Sequence, residues 1–447
     1  MFNFFIQHSP LLYLTQSVWR DEAYSIFMAA KPVSFFVSHL SFEPPFYYLL
    51  LHFWMKIFGM SELAGRSLSF LAFAGATVIV IYWAEKLFKN HWLSWWLPVF
   101  FFFNPMLIYY GMELRTYGWY IFFATLSLYS YSQKKWVLWV IATLLGFYTH
   151  TFLVIVPFAL TIHYVLTHRK TLFTGVRGFL SDAFIRCLIV LGLGILPWAV
   201  KIAMQAGALK STWYFPVNIS LVGSALGNLF LGYEGTPWYL WGYTKFLSLL
   251  ILLATFVAYK SKKTRAEAGL FVSQIYLPLI LVLGISFIKP FYVNRYMIAV
   301  TIAEVFAIAL AIYAIKNDGL QKFAAASCLL FILAFNVWYP GQHAKVDIRS
   351  TLKQVNTLTE PTDIIIADNP LIVFETMYYA DPTTRVYLFN PHHNAFPVFV
   401  GEGIVRPDQM TDDYPAYPVR AFVIHQNGTF NVIYKAPLNS PKPVKSL

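Results

Sequence analysis

Trp19-Arg20-Asp21-Glu22-Ala23-Tyr24-Ser25 sets two adjacent carboxylates just beyond the first apolar stretch of a chain that is otherwise mostly lipid-soluble. Acids are costly to keep at a membrane surface, so a pair of them there marks binding or chemistry. The surroundings of the pair decide the fold class. The 447 residues are 58% hydrophobic, 19% aromatic and 12% charged, where a soluble globular domain carries about 25% charged residues. Apolar runs of roughly 17 to 25 residues recur along most of the length, each enough to cross about 30 Å of hydrocarbon as a helix. Helices are required because no water in the bilayer core can satisfy an open backbone. The sequence therefore predicts an all-α polytopic membrane domain.

Before the acid pair, Met1 to Ser17 is apolar, is interrupted by His8 and Pro10, and has neither a basic start nor a small-residue cleavage site. It reads as a short first membrane helix and not as a signal peptide. After the pair, residues 18–60 form a long outer loop. It includes Glu43-Pro44-Pro45 and an aromatic stretch from Phe46 to Phe58 that suits a helix lying in the interface. Spans follow at about 63–87, 92–103 and from Arg115 down to Lys134 and Lys135, and a hairpin of two more turns around His150 and ends at His168, Arg169 and Lys170.

A basic segment with Arg177 and Arg186 precedes the span 187–204, and an outer loop rich in Trp, Tyr, Gly and Pro occupies 205–240. The last four spans meet Lys260, Lys262, Lys263 and Arg265, then Lys289 to Arg295, then Lys316 and Lys322, and end at Pro340. The total is about eleven transmembrane helices. The net charge of +12 comes from short clusters between apolar runs, which fits cytoplasmic anchoring and not nucleic acid. Cys187 and Cys328 lie in apolar spans and imply no disulfide framework.

From Gly341 the composition turns charged, Pro-rich and soluble. Ile364-Ile365-Ile366 and Arg385-Val386-Tyr387-Leu388-Phe389 read as strands, and Leu371 to Tyr379 reads as a helix after Asp368-Asn369-Pro370. The chain thus divides into a membrane domain, 1–340, and a small C-terminal α/β domain, 341–447. An odd number of spans places the second domain outside the cytoplasm.

Asp21-Glu22, Glu43-Pro44-Pro45-Phe46-Tyr47-Tyr48, Phe58-Gly59 through Glu62 to Arg66, Asn104-Pro105 and Glu113-Leu114-Arg115-Thr116-Tyr117 occur in this order. Together they resemble the protein O-mannosyltransferase and aminoarabinose-transferase clan, GT-C glycosyltransferases that use polyprenyl-phosphate sugars. The resemblance covers roughly residues 15–310, and the soluble tail is similar only in position. It implies a GT-C membrane domain and an inverting transfer, in which an acceptor hydroxyl attacks the anomeric carbon as the lipid phosphate leaves. It also implies a plasma-membrane enzyme whose site faces outward.

The residue chemistry fits that scheme. A neutral hydroxyl needs a base, and Asp21, matching the first acid of the family motif, is the candidate. Glu22 would orient the acceptor, bind a sugar hydroxyl or help hold a metal. The ordinary alternative is that both acids cap the helix beginning at Ala23. A departing phosphate needs fixed cations, and arginine presents a planar fork to its oxygens. Arg115 and Arg295 sit where outer loops meet descending helices, with Lys289 a weaker third. Snorkelling, or pairing of Arg115 with Glu113 or another acidic neighbour, is the competing reading, and Arg20 reads as a local ion-pair partner.

Glu43 stands where relatives often have histidine, which puts a carried-over role in doubt. Glu113, Tyr117, His150 and Tyr296 are further substrate-binding candidates, although packing is the ordinary role of such aromatics. Some clan members use a divalent ion near the acids. Here the outer loops lack a His and Asp cluster, so no metal or other cofactor is expected to be required, and a divalent cation stays compatible. The expected partners are a polyprenyl-phosphate sugar donor, a glycan, lipid or protein acceptor, and membrane lipid, with no nucleic acid. A lipid-linked glycan transporter or flippase and a non-catalytic membrane scaffold are the rival readings.

Overall fold

The computed structural model describes residues 2–40, 43–172, 176–205, 216–235, 238–397, 400–401 and 403–435. The chain forms two compact units. The first comprises Met1–Leu14, Ser41–Leu50 and Arg66–His343; the second comprises Thr15–Leu40, Leu51–Gly65 and Ala344–Leu447.

The first unit is helical and is built around Ile298–Ala314. Of the helices long and apolar enough to cross a membrane, the one in Asn294–Ala314 is 89% buried, and the next most buried reaches 50%. Its Ala, Ile and Val side chains pack against helices Leu93–Phe102, Tyr117–Ser132, Ile219–Leu231, Trp241–Lys260 and Arg265–Ser286. Phe306 on this central helix stacks on Phe271, with ring centroids 4.8 Å apart, and meets Trp83 at 4.4 Å. Small residues let neighbouring helices close up, because lipid supplies no hydrophobic drive between them. A side chain on Gly227 would run into the Thr244 carbonyl, and the Gly227 N–H donates to Ser248 Oγ at 2.8 Å.

Seven described helices have the length and apolarity of membrane spans: Glu62–Phe88, Thr151–Arg169, Ala183–Gln205, Trp241–Lys260, Arg265–Ser286, Asn294–Ala314 and Asp318–Gln342. Shorter apolar helices, Leu93–Phe102, Trp136–Phe147 and Ile219–Leu231, join them, and the protein is multi-pass. The stretch Phe46–Phe58 is a helix.

Two features differ from the sequence expectation. The single first helix is instead two short ones, Phe2–Gln7 and Leu11–Thr15, broken where Pro10 cannot continue a helical ladder. Part of the expected loop 205–240 is the helix Ile219–Leu231. The stretches 206–215 and 236–237 of that loop lie outside the described residues, as do the side chains of Lys170 and Arg177.

The second unit contains a five-stranded sheet of β1 (Ile364–Ala367), β2 (Arg385–Phe389), β3 (Met410–Thr411), β4 (Ala421–Ile424) and β5 (Phe430–Ile433), ordered β3-β2-β1-β4-β5. β1 pairs in parallel with β2 and β4, β2 pairs in parallel with β3, and β4 and β5 form an antiparallel pair. Every residue of β1 and β4 is buried, and both sequences are accordingly apolar throughout and do not alternate. Helices Ile348–Leu358 and Val373–Tyr379 flank β1 in sequence. Segments 15–40 and 51–65 contribute the acidic helix Arg20–Ala30 and the second half of Phe46–Phe58.

Candidate functional site

In the first unit, Asn104 begins the helix Pro105–Met112 by accepting the Leu107 N–H at 3.1 Å, with Pro105 at the first position, where its missing N–H costs nothing. The helix stops at Glu113 and a new one starts at Tyr117. Gly118 permits the sharp restart: a Cβ there would lie 2.4 Å from the Ser69 carbonyl oxygen. Ser69 Oγ donates to the Arg115 carbonyl at 3.2 Å. The Glu113–Thr116 break is thereby pinned against helix Glu62–Phe88.

The Arg115 side chain turns to Glu43 and pairs with it. The Tyr48 hydroxyl donates to the other Glu43 oxygen. Pairing of Arg115 with an acidic neighbour, one of the competing sequence readings, is thus met by Glu43, and the Arg115 N–H donates to the Glu113 carbonyl at 2.7 Å. Glu113 is buried at 5% exposure.

Arg295 lies in the turn Asn294–Met297 that leads into the central helix. Its guanidinium is 3.6 Å from Glu234, and Tyr110 donates its hydroxyl to the same carboxylate at 2.7 Å. Glu234 is held in place by its helix. Ile219–Leu231 ends at Gly232 in the left-handed conformation, φ 67°, and its last carbonyls are bound from three sides. Asn104 donates to Phe230 at 3.0 Å, Thr301 to Leu229 at 3.0 Å, and Asn294 to Tyr233. Successive residues, Asn294 with Tyr233 and Arg295 with Glu234, are matched across the two turns. Burial beside Glu234 pushes the Tyr110 hydroxyl above its usual range, so it stays a donor.

Tyr117 and His150 connect the two arginines, since each lies within electrostatic reach of both Arg115 and Arg295. His150 stacks on Tyr120 at 4.9 Å with the rings 3° from parallel. It also meets Tyr296 at 5.4 Å and Tyr117 at 5.5 Å. Burial first, then the two guanidiniums, push the imidazole down to about 3, so it is neutral at physiological pH and accepts the Phe152 N–H at 3.3 Å. Tyr296 stacks on Phe152 at 4.6 Å. Lys289 is exposed beyond Arg265–Ser286 with its N–H on the Ile285 carbonyl.

In the second unit, Asp21 and Glu22 open the acidic helix. Asp21 Oδ1 accepts Arg20 Nε at 2.8 Å. Glu22, 1% exposed, reaches back to the Trp19 N–H at 3.3 Å, which is half of a helix cap. Glu375 of the C-terminal domain lies against the Arg20 N–H and within electrostatic reach of Asp21.

Glu234, Tyr110 and Glu375 were not singled out from the sequence. The available signal for Glu234 was one acid between Gly232 and Gly235 in an aromatic loop. Among the described residues, no three or more His, Cys, Asp or Glu gather to hold a metal ion.

No protein-family model and no curated protein matches the sequence. The crystal structure of ArnT from Cupriavidus metallidurans in the apo state superposes with a TM-score of 0.61 at 12% identity, over 94% of this chain and 90% of that one. The same protein bound to undecaprenyl phosphate gives 0.60 at 12% identity, over 94% and 91%. This chain has the ArnT fold. The share left uncovered is smaller than the stretch beyond Pro340, so the ArnT likeness extends into the C-terminal domain and is not confined to residues 15–310.

Proposed function

We propose that the protein moves a sugar from a polyprenyl-phosphate carrier to a hydroxyl of an envelope acceptor (a glycolipid, polysaccharide or protein), with inversion, on the outer face of the plasma membrane. The observation that carries this reading is the pair Arg115 and Arg295, both acting on His150 and Tyr117. It occurs in a fold that, in ArnT from C. metallidurans, has been solved with undecaprenyl phosphate.

In the proposed step, the acceptor oxygen bonds to the anomeric carbon as the bond from that carbon to the phosphate oxygen breaks. The hydroxyl proton passes to Asp21, and the electron pair leaves with the phosphate. Fixed guanidiniums stabilise the second negative charge that develops on the leaving phosphate more than the single charge of the bound phosphodiester, so they act on the barrier. Glu43 and Glu234 hold the two arginines in orientation until phosphate oxygens take their place. Lys289 adds positive charge nearby, and Glu113, Tyr117, His150 and Tyr296 line the sugar. Glu22 holds the start of the acidic helix. The active site and the C-terminal domain are extracytoplasmic in this reading.

The test uses full-length protein in liposomes, with undecaprenyl phosphate as binding probe and a panel of undecaprenyl-phosphate sugars as donors. Asp21→Asn is expected to abolish transfer and keep undecaprenyl phosphate binding, and Arg115→Ala with Arg295→Ala to weaken that binding. Transfer by Asp21→Asn at the native rate, or unchanged binding by the double arginine variant, would overturn the reading.

A further inference from the structure

The C-terminal domain packs directly on the helix that carries the acid pair. The Phe374 ring of helix Val373–Tyr379 lies 5.5 Å from Tyr24 and 6.4 Å from Phe27 of the acidic helix. Gly401 admits this contact, because a Cβ there would be 2.4 Å from the Tyr24 ring. The next residue, Glu375, is buried at 8% exposure. Its carboxylate faces the Arg20 N–H and its own N–H, with the Arg20 and Asp21 side chains the charges acting on it. Its Oε2 has no hydrogen-bond partner among the described residues.

The strand of chain entering the helix is held by the same domain. The Tyr379 hydroxyl accepts the Val18 N–H at 2.7 Å and Ser17 Oγ at 3.2 Å, and it donates to Glu62. Arg349 donates to Glu62 at 2.9 Å through Nε and to the Thr15 carbonyl at 2.9 Å, and its N–H meets Ser17 Oγ at 3.2 Å. Residues 15–18 and residue 20 are thus gripped on either side of Trp19 by the C-terminal domain. A buried acid facing the first N–H of a helix satisfies a donor that has no partner within the helix. It also fixes the direction in which the next side chain, Asp21, leaves the backbone.

We propose that Glu375 is a positioning residue for Asp21: from the C-terminal domain it caps the acidic helix and sets the direction of the catalytic carboxylate. The inference rests on the sugar-transfer reading for its catalytic meaning, but its geometric half stands alone. It assigns the domain a part in building the site, beyond acceptor capture or partner docking. Burial holds the Glu375 carboxyl up at about 8, so it is a neutral acid at pH 7 and acquires charge beside Asp21 in mildly alkaline solution.

The experiment compares wild type, Glu375→Gln and Glu375→Ala as full-length protein in liposomes. It measures turnover of an undecaprenyl-phosphate sugar, undecaprenyl phosphate binding, and backbone hydrogen exchange over residues 18–25. Glu375→Ala is expected to lose about tenfold in turnover, the equivalent of a lost cap, with undecaprenyl phosphate binding unchanged and exchange over 18–25 raised. Glu375→Gln, whose amide oxygen still accepts, is expected to stay within about threefold of wild type. It should also lack the fall in turnover that wild type shows above about pH 8.

Native turnover in Glu375→Ala, or Glu375→Gln as impaired as Glu375→Ala, would overturn the proposal. If wild type transfers no sugar, the transfer reading fails. The exchange of residues 18–25 then decides the positioning role by itself: raised in Glu375→Ala and native in Glu375→Gln supports it, and any other pattern overturns it.

Discussion

Arg295 and Tyr110 share one carboxylate: Glu234 lies 3.6 Å from the guanidinium of the first and accepts the hydroxyl of the second at 2.7 Å. An anion placed there fixes the guanidinium and also competes with any incoming phosphate. Glu234→Gln keeps an acceptor for Tyr110 and removes the charge. It is expected to tighten undecaprenyl phosphate binding several-fold and to slow release of that product, while Arg295→Ala weakens binding by about tenfold, the loss of one charge-assisted hydrogen bond. Equilibrium binding of undecaprenyl phosphate checks both; weaker binding in Glu234→Gln would show that orientation outweighs competition.

Arg115 and Glu43 form the corresponding pair on the neighbouring loop, with Tyr48 on the second oxygen. A double-mutant cycle on Glu43→Gln and Arg115→Gln is expected to give a coupling of about 0.5–3 kcal/mol in stability, the range for residues in one ion-pair network. Additive effects would mean that the pair has no energetic standing.

His150 is held at about 3 by burial and by two guanidiniums. Its folded-state value lies below the unfolded one, so its contribution to stability is present above about pH 6.5 and is lost as pH falls toward 3. His150→Phe retains the ring stack on Tyr120 and has nothing to protonate. Melting curves in detergent at pH 7, 5.5 and 4.5 should show a steeper acid loss for wild type than for His150→Phe, and parallel curves would contradict the assignment.

Glu375 has the opposite sign. Its folded value of about 8 lies above the ordinary glutamate value of 4.5, so the stability it contributes is complete below about pH 4.5 and is lost as pH rises through 8. Glu375→Gln should flatten the stability of the second unit between those limits, measured as hydrogen exchange of β1 and the acidic helix against pH.

Glu304 sits in the central helix at 0% exposure, and neither carboxylate oxygen has a hydrogen-bond partner among the described residues. A carboxyl group held this way costs free energy that an apolar or amide side chain avoids. Glu304→Gln is expected to leave the melting temperature unchanged or raise it, with transfer intact. A marked fall in the melting temperature would show that the carboxyl is stabilising, and a marked fall in transfer would show that the reaction depends on it.

The membrane helices were legible because length and apolarity alone specify them, and helix Glu62–Phe88 sits almost where the apolar run 63–87 put it. The acid pair was legible for the converse reason, since charge is conspicuous in a lipid-soluble chain. What the sequence concealed depends on pairings between distant residues. Tyr110 and Glu234 are separated by 124 positions, and neither carries a local pattern that names the other. Glu375 carried no local signal within its short helix, and its position follows from Phe374 and Gly401, which meet Tyr24. In the sheet, β1 and β2 were readable as apolar runs. β3 is only two residues long, too short for periodicity to separate it from loop, and β4 and β5 were not singled out.

The second unit is assembled from three separated pieces of chain, 15–40, 51–65 and 344–447. During synthesis the acidic helix leaves the ribosome well before its partner Glu375, which is made about 350 residues later. At about 5–20 residues per second the interval is roughly 20 to 70 seconds. Until then Tyr24 and Phe27 lack their packing surface, so the nascent protein waits in an unfinished form, and any message cut short before Tyr379 yields membrane helices whose acid-bearing segment never matures.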